Sequence, residues 1–498
     1  MLRWKSKRFI QMAWNGSLLF FAIFSIIQSS KAQHPDNYFQ PADMKRDILW
    51  LQEKVLQYHP ACIDPLRKDS VSAAFQIARY AAEKPLQELQ FLRLLRHTLL
   101  TLRCGHSTAI PSKSFYKYYQ KAKPKPIFPL QVFSFDQNLF VRFNGSDNPS
   151  IKIGDRLTSI NQESSKDITN SMMEILPSDG YHNSFRNYHM SLNFPTYYLF
   201  IRGPSYDYET MLVDSSGKTR NTILSLRTQG KSISRPQKNR TSRVILNGGN
   251  SRDLSVLVSN PSIACLRVSE FKGKSGWYAK SFQKLEKGKY RTLILDLRGN
   301  AGGSLFEANE LLSYLLADTF SMKFIRRSSS IGFNGKSDLS LRARISMAVF
   351  RLLPNYTKGS RNTSTNEGDI ISTRFRFKPQ KRNGFKGKLI VLMDGGTFSS
   401  ASYVASKLRK AGRAELAGEE SGGAAKGCNA LITPTITLPE TKLRVSIPLY
   451  FLDHEMGKIP FRGLQPDYKL MHPDPTLSLK GIDPELEFLA RHILLLKK

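Results

Sequence analysis

The chain has 498 residues, more than one hydrophobic core serves, so two or three domains are expected, and 40% hydrophobic with 11% aromatic residues can build them. A net charge of +34 calls for an anionic partner, but no nucleic-acid-binding motif accompanies it, which sets nucleic acid aside. An anionic envelope surface or acidic polysaccharide fits better, unless the lysines and arginines only solubilise a large surface. The four cysteines, Cys62, Cys104, Cys265 and Cys428, are scattered without zinc-like spacing. They read as buried free thiols or at most one bridge, and no metal site or cofactor is implied.

The first residues do not belong to the fold. Lys5, Lys7 and Arg8 precede an apolar run from Leu18 to Ile27, and Ser30-Lys-Ala32 stands before Gln33. A basic start, a short apolar run and small residues at a cleavage point mark residues 1–32 as a secretory signal peptide. An uncleaved anchor is the alternative, but the run is short against the ~20 residues of a bilayer span. The mature chain is expected to be exported, periplasmic or extracellular, and without a membrane span.

Residues 33–120 read as a helical domain. Ile48, Leu51, Val55 and Tyr58 recur at helical spacing until His59-Pro60 stops the element. A second helix follows Pro85, with Leu89, Leu92, Leu95 and Leu99 on one face. Residues 121–228 change to short strands at 128–133, 139–143 and 208–213. Between them, Ile151-Lys-Ile-Gly-Asp-Arg-Leu-Thr-Ser-Ile-Asn161 resembles the Gly-Asp-x-Ile-x-x-Ile-Asn strand pair of a PDZ domain. PDZ domains capture peptide ends by strand addition. Residues 229–245 are a polar, basic linker. The last domain, 246–498, opens with strands near 254–258, 263–270 and 292–296 and a helix from Leu305 to Leu316. A basic, irregular stretch over about 326–386 interrupts it, as a lid, a substrate wall or a disordered insertion.

Two segments of that domain carry the chemistry. Leu293-Ile-Leu-Asp-Leu-Arg-Gly-Asn-Ala-Gly-Gly303 and Val391-Leu-Met-Asp-Gly-Gly-Thr-Phe-Ser-Ser-Ala-Ser402 each run from an apolar strand through a glycine-rich turn into a helix. The second places Ser399 at a helix start, where free N–H groups face any charge that develops beside it. The first lets backbone approach a bound carbonyl closely. A nucleophile on one turn and N–H donors on another are the parts of an acyl-transfer site. Gly418-Glu-Glu-Ser-Gly-Gly423 and Arg462-Gly-Leu-Gln-Pro-Asp467 follow in order.

Together these four segments resemble the tail-specific proteases, or C-terminal processing peptidases, a family that includes the tricorn protease core and the repeats of interphotoreceptor retinoid-binding protein. The resemblance implies an α/β protein with a helical N-terminal domain, a PDZ-like β module and a crotonase/ClpP-like catalytic domain. It implies a serine peptidase that acts on polypeptides and needs no cofactor.

The same resemblance selects Ser399 as nucleophile, although Ser400 or Ser402 would serve equally as a helix cap. In one branch the base is a lysine after Gly-Glu-x-Thr; here Ala424 stands at that position and Lys426 lies two residues later. In the tricorn-like branch it is a histidine at the end of the helical domain. Leu102-Arg-Cys-Gly-His-Ser107 matches that segment, so His106 is the expected base, with a pKa range suited to the task. A carboxylate to orient it is sought before Gly-x-x-Pro-Asp, where Glu455, or alternatively Asp453, is closest. The oxyanion hole is expected from the N–H of Ser400 with that of Gly302 or Gly303, while Asp296 and Arg298 are expected to fix their turn as a charged pair. The rival reading is a peptide- or hydrophobic-ligand-binding protein on the same scaffold.

Overall fold

The computed structural model describes residues 38–122, 125–135, 138–225, 243–273, 276–329, 363–367, 370–470 and 483–492. The expected signal peptide, residues 1–32, and nearly all of the expected linker, 229–245, lie outside these residues. Among the described residues, no helix is long and apolar enough to cross a membrane.

Three helices, Pro41–Tyr58, Pro65–Ala81 and Glu88–Leu99, make the N-terminal part. The apolar stripe of the first, Ile48, Leu51, Val55 and Tyr58, is buried as its spacing predicts. The middle helix was not anticipated. It buries only Val71, Phe75 and Ala78, too sparse a stripe to stand out in a basic, polar segment. Next come strands Leu130–Phe135, Asn138–Asn144, Arg156–Ile160, Asp207–Val213 and Thr219–Ser225, paired antiparallel in that order. The segment likened to a PDZ strand pair contributes the central strand of this sheet. A helix, Ser184–Arg202, also escaped notice, because Pro195 and the non-helical Asn193 interrupt its periodicity.

The last part is built on a seven-stranded sheet. From one edge it runs Arg243–Asn247, Arg252–Leu257, Ile263–Val268, Thr292–Asp296, Lys388–Met393, Glu415–Gly418 and Tyr468–Lys469. The first two pairings are antiparallel and the remaining four parallel. Parallel neighbours need crossovers, and helices Trp277–Lys287, Leu305–Leu315 and Ser400–Lys410 lie on three of them. The strands are continuous apolar runs because both faces are covered. Thr292–Asp296 and Lys388–Met393 are direct neighbours in register, so both glycine turns leave the same carboxyl edge of the sheet side by side.

The stretch expected to be irregular is in part a sheet. Phe320–Arg327 pairs antiparallel with Ile370–Phe377 over its whole length and with Tyr450–Asp453 on its other side. Within that stretch, Ile370–Phe377 carries Arg374 and Arg376 on either side of the buried Phe375, so a basic composition concealed a period of two. A three-stranded sheet joins the chain's two ends. Thr108–Ile110 pairs with Arg444–Ser446, which pairs in turn with Thr435–Thr437. The four cysteines are buried and free.

Candidate active site

The two turns lock onto each other through backbone. Phe398 N–H donates to the Asn300 carbonyl at 2.9 Å, and Thr397 Oγ1 to that of Leu297 at 2.9 Å. Gly302 then lies so close that a Cβ on it would meet Ser399 Cβ at 2.8 Å, with its φ at +110°. Only glycine fits both demands. Beneath the first turn, buried Asp296 is gripped by Arg267 and Arg298, and Arg298 also holds Asp483 and Glu485. Those arginines overcome the burial of Asp296 and hold its carboxyl well below the usual range.

Ser399 sits at φ 54° and ψ −122°, a conformation that costs a non-glycine residue free energy and turns its side chain out of the helix start. Its hydroxyl makes no capping bond. The neighbouring hydroxyls have other partners: Ser400 Oγ donates to the Gly303 carbonyl at 2.8 Å, and Ser402 Oγ to that of Ser399 at 2.9 Å. Of the three serines, Ser399 alone faces His106, whose Nε2 lies 3.2 Å from its Oγ.

Those partners are 293 residues apart in sequence, and three contacts bring the histidine over. The Thr108–Ile110 strand is paired into the C-terminal part just after it, and Ser446 Oγ donates to the His106 carbonyl at 2.8 Å. The imidazole packs against Phe398 with centroids 4.6 Å apart, and Phe398 stacks on Phe185 at 4.1 Å. Gly105 permits this approach, since a Cβ there would meet Phe398 Cζ at 2.6 Å. Burial lowers the His106 pKa to about 4, so the ring rests neutral and ready to accept a proton.

Other candidates are placed elsewhere. Lys426 is exposed. Glu455 is held by Lys407 Nζ, Ser321 Oγ and Arg374, and Asp453 pairs with Lys323 and caps the Glu455 N–H. Against the effect of burial, those partners keep Glu455 ionised, its pKa at about 2. Neither carboxylate reaches His106, whose Nδ1 has no hydrogen-bond partner among the described residues. The loop that carries both is drawn instead to the buried Lys407, which would otherwise be an unpaired charge. The Gly302 N–H is also committed, donating to Asn300 Oδ1 at 2.8 Å. Among the described residues, the N–H groups of Ser400 and Gly303 have no acceptor.

One group at the site has no signal in the sequence. Asp179, fully buried in the segment before the Ser184–Arg202 helix, accepts the Gly105 N–H at 2.8 Å. It also takes the N–H of Ala424, the residue at the position of the other branch's lysine. Burial raises its pKa to about 7 against those two N–H bonds. Cys104, a ring nitrogen of His106 and Asp179 place donor atoms within 4.8 Å of one another, the one such group among the described residues. Asp179 stands in Pro177-Ser-Asp-Gly180, which reads as an ordinary turn.

Comparison with known proteins bears on the family and the fold. Residues 262–470 match the model of peptidase family S41. The fold is similar to that of mature CPAF, with a TM-score of 0.64 at 15% identity over 91% of this chain and 97% of that one. Mature CPAF complexed with lactacystin gives the same values. The photosystem II D1 C-terminal processing protease matches over 90% of this chain and 96% of its own, at 16% identity and a TM-score of 0.43. No curated protein matches the sequence.

Proposed function

The chain belongs to peptidase family S41 and is a serine-type peptidase, and on that premise we propose that it is an exported endopeptidase working through Ser399 and His106. The observation that carries the site assignment is the 3.2 Å contact between His106 Nε2 and Ser399 Oγ. His106 takes the hydroxyl proton as Ser399 attacks the scissile carbonyl, and returns it to the leaving amine. The N–H groups of Ser400 and Gly303 receive the oxyanion, with Gly302 providing the space beside the nucleophile rather than a donor. Water then hydrolyses the acyl-enzyme, with the same histidine as base.

Export follows from the basic and apolar start of the sequence, and the net charge of +34 suits a protein that works against anionic envelope surfaces. The sheet of residues 130–225 is the module that presents peptide ends, in keeping with its likeness to a PDZ strand pair.

A fluorophosphonate is the direct test. It should label the purified mature chain at Ser399, and lactacystin, the compound seen with CPAF, should compete. Ser399→Ala should abolish labelling and cleavage of a peptide library, and His106→Ala should lower both by orders of magnitude, with the double variant little worse than either. A folded chain that neither labels nor cleaves is a binding protein, and the proposal fails.

A further inference from the structure

A serine–histidine pair works best when a third group fixes the tautomer of the imidazole and stabilises its charged form. Glu455 and Asp453 cannot do so from their positions. We propose that Asp179 is the positioning carboxylate of His106, an inference that rests on the Ser399–His106 reading.

Two buried polar atoms at this place have no partner among the described residues, and they are complementary. His106 Nδ1 lacks an acceptor and Asp179 Oδ2 lacks a donor. A ring nitrogen of His106 lies within 4.8 Å of an Asp179 oxygen, with Nε2 already turned to Ser399. Groups this close meet directly after a small side-chain adjustment or share one water, and hydrogen bonds of this kind are commonly long before substrate binds. The other oxygen, Oδ1, is fixed by the Gly105 N–H at 2.8 Å, so the carboxylate is anchored to the backbone that carries the imidazole. Among the described residues, Asp179 has no arginine or lysine partner that would claim it, in contrast to Asp296 and Glu455.

The arrangement determines how the protons move. His106 rests as the Nδ1–H tautomer, with that hydrogen toward Asp179 and Nε2 bare toward Ser399 Oγ. When Nε2 takes the hydroxyl proton, the imidazolium forms beside the ionised form of Asp179, which burial confines to pH values near and above about 7. The other titratable groups facing Asp179 are the thiols of Cys104 and Cys428. Burial keeps both protonated, with the Cys104 pKa pushed up to about 12. They neither neutralise the carboxylate nor compete for the imidazole.

The test compares Asp179→Asn, Glu455→Gln and wild type on one peptide substrate, with fluorophosphonate labelling in parallel. Asp179→Asn should lower kcat by about 10²- to 10⁴-fold with KM nearly unchanged, while Asp179→Glu recovers part of the rate. Glu455→Gln should stay within a few-fold of wild type. Nitrogen-15 NMR of the His106 ring in wild type, assigned with His106→Gln, should show the Nδ1–H tautomer at neutral pH. That measurement needs no change at Asp179 and decides the matter even if Asp179→Asn does not fold. An Nε2–H tautomer, or wild-type kcat in folded Asp179→Asn, overturns the role of Asp179 while Ser399 labelling keeps the peptidase reading intact. Absence of labelling and cleavage in wild type would instead overturn the Ser399–His106 reading itself.

Discussion

Gly105→Ala should damage catalysis more than its size suggests. A Cβ at this position would lie 2.6 Å from Phe398 Cζ and 2.8 Å from its Cε2. Ordinary carbon contacts need about 3.5–4.0 Å, so the ring or the turn must yield by roughly 1 Å. A flexible side chain would swing away cheaply, but this ring is clamped. Phe185 stacks on it at 4.1 Å and His106 packs against it at 4.6 Å, and it is 4% exposed. Overpacking of this kind costs about 1–3 kcal/mol of stability. The kinetic effect should be larger, because Phe398 precedes Ser399 in the chain and also seats the imidazole. A displacement near 1 Å between nucleophile and base is worth about 10²-fold in rate. Steady-state cleavage and thermal unfolding of the same preparation measure both effects. The double variant Gly105→Ala/Phe398→Leu, which trims the atoms that clash, should regain part of the lost kcat. If Gly105→Ala cleaves at the wild-type rate, the aromatic stack does not position His106 and this reasoning fails.

Other outcomes follow from the same coordinates. Lys426→Ala should leave kcat/KM within about twofold of wild type, since the side chain is exposed; a large loss would return the chain to a serine–lysine mechanism. Burial holds His59 and His454 near pKa 3 and His106 and His189 near 4. The unfolded chain binds protons at these sites first, so stability should fall as pH drops below about 6.5 toward 4, as a fall in the urea midpoint will show. Asp179 acts in the opposite sense, because a carboxyl pKa raised to about 7 makes the folded state lose stability as pH climbs from about 4 through 7. The Tm of Asp179→Asn relative to wild type should therefore improve between pH 5 and pH 8; no change in that gap would mean the carboxylate is not held as described. Asp47→Ala should destabilise by about 1–3 kcal/mol, since it strips buried acceptors from the N–H groups of Glu440 and Thr441; an unchanged denaturation midpoint would contradict that.

Ser399, His106 and both glycine turns, which the structure brings together, were legible because each is a local feature. A strand, a glycine turn and a helix start can be recognised within a dozen residues, and a histidine after a glycine at a helix end almost as easily. What could not be read was geometry that depends on distant segments. Asp179 became visible only when the fold set it against Gly105 and Ala424, 74 and 245 residues away in sequence. Glu455 failed as a histidine partner because a buried lysine on the Ser400–Lys410 helix needed it more, and nothing near residue 455 announces that lysine. The choice between Gly302 and Gly303 as donor turned on the Asn300 side chain, whose orientation has no sequence signature.

The small sheet of Thr108–Ile110 and Arg444–Ser446 has a consequence for the timing of activity during synthesis. The base is among the first quarter of the chain to be made, yet the strand that anchors it arrives more than 330 residues later. Under the Ser399–His106 reading, a chain cut before residue 444 lacks the strand that pairs with Thr108–Ile110, so its histidine should be left unanchored and the truncated product inert rather than unregulated.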